Sequence, residues 1–99
     1  MSEYREVGLV AQMIPAYPGF DTVALLHPPG SGYHSAPVIG WIVELGGSYA
    51  TPVTVEGPSD LPVKLPSGRV FDAKHGATYH SIEAWLEYET ARESARRTA

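Results

Sequence analysis

Four histidines fall in two pairs, His27 with His34 and His75 with His80. Imidazole nitrogens bind zinc, and paired ligands often lie a few residues apart. Here six residues separate the first pair and four the second, and no cysteine is present to complete a ligand set. All four would converge only if two loops met, so ordinary loop histidines are expected and no metal is assigned. Asp21, Asp60 and Asp72 are the acids that could share a proton with a histidine. Proton transfer requires a defined geometry, which spacing alone does not supply. Turn and cap roles are the commoner use of aspartate in such Gly/Pro-rich settings.

The segment Gly30-Ser31-Gly32-Tyr33-His34 suggests a phosphate cradle at first sight. It lacks the P-loop pattern, and no helix is predicted after it to present free N–H groups to an anion. It is not the Gly-x-Ser-x-Gly elbow of hydrolases either. A loop with Tyr33 and His34 at its tip is the expectation. It offers the best contact surface in the chain, with His75 and His80 as the other residues of a possible ligand pocket. No catalytic residue and no cofactor is assigned. Six tyrosines and two tryptophans add large amphipathic surface, which is enriched where proteins bind. Trp41 and Trp85 read as core residues, with tyrosines at the border.

Composition narrows the setting. The chain has 99 residues, room for one domain, here taken as a β-rich body over 1–80 and a helix over 81–97. Its net charge of −4 removes the usual attraction to a phosphate backbone, so nucleic acid is not an expected partner. The first residues carry both signs of charge and no long apolar run follows, so neither a signal peptide nor a membrane span is expected. The expectation is a soluble protein of the cytoplasm; the lack of cysteine fits that setting.

The elements that must position these side chains follow from punctuation. Ten glycines and nine prolines break the apolar runs, which reads as short strands joined by turns. Val7 to Ile14 is apolar on both faces and reads as a buried strand ending at Pro15. Thr22 to Leu26 is a second strand. Val38 to Leu45 is the strongest, with Ile39, Trp41, Val43 and Leu45 on one face. Its hairpin return over Tyr49 to Val55 has two registers. A two-residue loop sets Trp41 opposite Pro52. A three-residue loop sets Trp41 opposite Val53 and Val43 opposite Thr51, and is preferred because it pairs larger apolar side chains. Gly46 or Gly47 would then take a positive φ, and Pro52 marks a strand edge. Leu61 to Leu65 and Arg69 to Phe71 form a second hairpin about Pro66-Ser67-Gly68, with Val63 near Phe71. Ser81 caps a helix running to Arg97, whose face Ile82, Trp85, Leu86 and Glu89 meets the sheet. Beyond that only Ala91 and Ala95 are apolar, so the last turns should project or fray unless covered.

The expected fold is α+β: an antiparallel sheet of five or six strands, strongly bent or barrel-like, with the C-terminal helix on one face or end. A sandwich-like body is the alternative. The expected core is Ile39, Trp41, Val43, Val53, Val63, Phe71, Ile82, Trp85 and Leu86, with Trp85 near Phe71 or Trp41. The segments Leu65–Asp72 and Ser81–Leu86 together resemble the ends of small uncharacterised proteins of actinobacterial bacteriophages. That resemblance implies the cytoplasm of an infected bacterium and transfers no functional residue. The leading functional expectation is a non-enzymatic binding or interaction protein, with a host protein or a second copy of the chain as partner. A ligand- or nucleotide-binding protein, or a simple hydrolase, with a His/Tyr-lined pocket is the alternative.

Overall fold

The computed structural model describes residues 11–44 and 50–98. The chain enters on β1 (Ala11–Pro15) and turns at 16–20 into β2 (Asp21–Leu25). A Pro/Gly loop returns it as β3 (Tyr33–Pro37). There follow β4 (Gly40–Glu44), β5 (Ala50–Thr54), β6 (Gly57–Pro58), β7 (Val63–Lys64), β8 (Val70–Asp72), β9 (Ala77–Tyr79) and the helix α1 (Ile82–Thr98). All strand pairs are antiparallel, so the α+β class is as expected.

The sheet itself differs from expectation. The strands form two sheets, in the orders β1-β4-β5-β6 and β3-β2-β7-β8-β9, and neither closes into a barrel. The chain changes sheet after β1, after β3 and after β6. β6 lies on β5 while β7 pairs with β2. The one-residue alternation of side chains gives the five-stranded sheet two distinct faces. Val23, Leu25, Tyr33, Val70 and Tyr79 share the face under α1. Thr22, Val63 and Phe71 share the other, where side chains of the four-stranded sheet meet them across shallow clefts.

The β4–β5 hairpin does not take the preferred register. Trp41 faces Pro52, Val43 faces Ala50 and Gly40 faces Val53. Cross-strand pairing between large apolar side chains is outweighed here by tertiary fit. Val53 is buried opposite Gly40, where an added Cβ would lie 2.7 Å from Met13 Cε and 3.0 Å from the Ile14 carbonyl oxygen. Trp41 stacks its edge on Phe20 at 5.2 Å. The hairpin tip, with Gly46 and Gly47, lies outside the described residues, as do residues 7–10 of the expected first strand. β5 is not an edge: β4 lies on one side, and on the other β6 pairs with Val53 and Thr54 and the Ser59 N–H donates to the Pro52 carbonyl at 2.9 Å. β6 covers only the Pro52–Thr54 end of β5, and β1 is an edge of this sheet among the described residues.

The core keeps Val53, Val63 and Trp85 of the expected residues, with Ile82 and Leu86 against it, but its centre also holds Val23 and Val70, which the sequence did not single out. Val23, Val70 and Trp85 form its centre, with Leu25, Tyr79, Ile82 and Leu86 packed against them. Val38, Val53 and Val63 are buried as well. Ile39 and Val43, assigned to the core from the sequence, are 48% and 40% exposed. Val43 lies on β4 and Ile39 directly before it, whereas α1 packs on the five-stranded sheet. Met13 and Ile14 are also exposed, so the first strand is not buried.

The second hairpin follows the sequence closely. Val63 faces Phe71. The Gly68 N–H donates to the Leu65 carbonyl at 2.9 Å, and Gly68 sits at φ 96°, a region open to glycine without a Cβ penalty. The helix start is also as expected: the Ala84 N–H donates to Ser81 Oγ at 3.1 Å. Ser81→Ala should cost about 1 kcal/mol, read as a lower denaturant midpoint with an unchanged slope.

Candidate functional site

Trp85 lies on the buried face of α1 because Ile82, Trp85 and Leu86 recur at helical spacing. It lands on Val23 and Val70, not on Phe71, which faces the other side of the five-stranded sheet, nor on Trp41, which belongs to the four-stranded sheet. Tyr33 meets the indole edge-on at 6.1 Å. The ring is only 2% exposed, and its Nε1–H has no hydrogen-bond partner among the described residues.

Beside this indole runs a cleft of about 280 Å³ between α1, β2 and the β8–β9 turn. Asp72 closes one side of it. As the last residue of β8 on the helix face, its carboxylate is buried, with the residue 3% exposed. Three residues on, in the turn, His75 Nδ1 lies 2.7 Å from Asp72 Oδ2. Such a contact fixes the imidazole and leaves its Nε2 for another partner. His75 is about half exposed. Lys74 and His27 stand at the same cleft.

The far half of α1 supplies the opposite wall. Arg92 donates to Glu89 Oε1 at 2.6 Å, Arg96 pairs with Glu93, and Arg97 Nε lies 3.8 Å from Glu93 Oε2. Arg97 also donates to His27 Nδ1 at 3.4 Å. Residues 94–98 are exposed, as a projecting end would be, and Arg97 reaches the loop that carries His27. The hydrogen bond from Arg96 holds the Glu93 carboxyl below the usual carboxylate range. The bond to Glu89 raises the Arg92 guanidinium above its ordinary value. Exposed pairs of this kind contribute little stability singly, so their main effect is to fix where the charges stand.

The histidines are sorted differently from their sequence pairs. His27 and His75 share the cleft. His34 lies on the other face of the sheet, in a hollow with Thr22, Ala36 and Thr54. His80 is exposed between β9 and α1. Tyr33 and His34 are not a loop tip. They open β3, an edge strand, and as neighbours they point to opposite faces. No group of three or more metal-ligating side chains occurs among the described residues. Of the three aspartates that could meet a histidine, Asp72 does so with His75; the Asp-x-x-His spacing carries no signal of this until a turn folds it back. Lys74 and the α1 carboxylates were missed because a charged helix face normally reads as solvated.

Tyr79, across β8–β9 from Val70, carries a testable charge effect. Burial raises its pKa above 10, helped by the nearby Glu89 and Tyr88 and by Asp72, against Arg92. Below pH 10 the phenol is protonated in both folded and unfolded chains. Above it, the unfolded chain releases the proton first, so stability falls as pH rises through the folded value. Tyr79→Phe should flatten that alkaline loss, measured as denaturant midpoint between pH 9 and 11.

Comparison with protein-family models, with curated proteins and with solved structures found no match to this chain. No helix among the described residues is long and apolar enough to cross a membrane.

Proposed function

We propose that the chain is a non-enzymatic binding protein whose site is the cleft between α1 and the five-stranded sheet. The observation that carries this reading is the Asp72–His75 pair, whose imidazole is held at 2.7 Å beside a cleft that Trp85 also lines, its Nε1–H buried without a partner among the described residues. A buried donor left unmade costs about 1–3 kcal/mol. In this cleft the fixed imidazole of His75 and the ring of His27 are the polar groups that would orient a ligand. The ligand class is a small polar molecule with a hydrogen-bond acceptor and mixed charge, with nucleotides the first compounds to test. Among the described residues that line the cleft there is no serine, threonine or cysteine to act as a nucleophile beside Asp72 and His75, which favours binding over hydrolysis.

A thermal-shift screen with nucleoside mono- and triphosphates checks this directly, since a ligand of the folded state raises its melting temperature by mass action. A concentration-dependent rise is expected, reduced by His75→Asn. No rise with any of them would sink the nucleotide reading.

A second reading, protein interaction, rests on the four-stranded sheet. β1 is an edge strand among the described residues, with Met13 and Ile14 exposed on its two faces and Ile39 and Val43 exposed nearby. Unpaired edges invite strand addition by another chain. The resemblance to phage proteins would make the partner a host protein; a second copy is the other choice. Light scattering on a size-exclusion column decides the second: a strict monomer at high concentration excludes self-association.

A further inference from the structure

We propose a second binding site, in the cleft between the two sheets, that takes an apolar α-amino acid. The cleft holds about 380 Å³, within the range of small-molecule sites. Its walls are apolar: Trp41 from the four-stranded sheet, and Val63, Leu65 and Phe71 from the five-stranded sheet and its turn. Phe20 packs edge-to-face on Trp41. Asp60 and Lys74 also line this cleft, one charge of each sign, and both are exposed. Neither takes part in an ion pair among the described residues.

An apolar cavity bordered by one free carboxylate and one free ammonium matches a zwitterion with a hydrocarbon side chain. The side chain fills the cavity, the ligand carboxylate meets Lys74 and the ligand ammonium meets Asp60. A ligand with one charge satisfies one of the two groups and leaves the other beside an apolar mouth. The two charges therefore select against a simple acid or a simple amine of the same shape. Asp60 and Lys74 also line the polar cleft on α1, but the walls here are those of the opposite face of the sheet.

Isothermal titration of the full chain with L-phenylalanine, 3-phenylpropionate and 2-phenylethylamine tests the assignment. L-Phenylalanine should bind about fivefold more tightly than either single-charge compound, the upper range for one exposed ion pair. Lys74→Gln should lower L-phenylalanine to the affinity of the amine, and Asp60→Asn to that of the acid. Ala73→Trp, which fills the cleft from an exposed lining position without removing a core side chain, should abolish binding. No saturable heat with L-phenylalanine overturns the proposal. So does equal affinity for the acid or the amine, and so does unchanged binding by Ala73→Trp in a protein that melts as the parent does.

Discussion

Trp85→Ala should destabilise the protein by about 3–5 kcal/mol, the range for truncating a buried aromatic side chain. The indole touches the centre of the core, Val23 and Val70, and meets Tyr33 edge-on. Its removal leaves a cavity between α1 and the sheet that Ile82 and Leu86, one turn away at most, cannot fill from their own positions. Small domains are stable by roughly 5–15 kcal/mol in total, so much of the cooperative transition should be lost. Equilibrium urea unfolding followed by far-UV circular dichroism measures this. An unchanged midpoint would mean that α1 is not part of the folded core. Trp85→Phe separates packing from the polar atom. It removes the unpartnered Nε1–H along with part of the ring, so it should cost clearly less than the alanine variant.

Val70→Ala should cost about 2–3 kcal/mol, the transfer term for a fully buried valine plus the cavity it leaves. Val70 is 0% exposed, in the middle of the β7–β8–β9 ladder, opposite Lys64 and Tyr79. Ile39→Ala is its natural control. Ile39 is the larger residue and lies beside the strongest apolar run of the chain, yet it is 48% exposed. Its truncation should move the urea midpoint only slightly, within about 0.5 kcal/mol. If Ile39→Ala proved the costlier of the two, the face of the four-stranded sheet that carries it would be covered in solution. The interaction reading would then gain a specific surface.

Several local features followed from residue type alone because their causes are local. Ser81 caps α1 since its hydroxyl reaches the Ala84 N–H three residues on. Pro66, Ser67 and Gly68 close a hairpin since proline presets one dihedral and glycine tolerates another. The Glu89–Arg92 and Glu93–Arg97 pairs follow from helical spacing. The Val63–Phe71 register follows from the length of the turn between them.

What only the tertiary structure decided was which face of each strand is covered, and by what. The run from Ile39 to Val43 is as apolar as a core strand, but burial depends on whether a helix or a second sheet lies above it. Tyr33 to Pro37 is polar enough to read as loop; it is a strand because β2 offers it a ladder of hydrogen bonds, and an edge strand need bury little. The β4–β5 register was set by the room over Gly40 and the contact of Trp41 with Phe20, which hairpin pairing alone does not contain. The candidate sites are of the same kind. Asp72 and His75 meet because a turn folds between them, and His27 joins the same cleft from 48 residues earlier in the chain. Such distances are produced by packing, and no local preference of the residues involved encodes them.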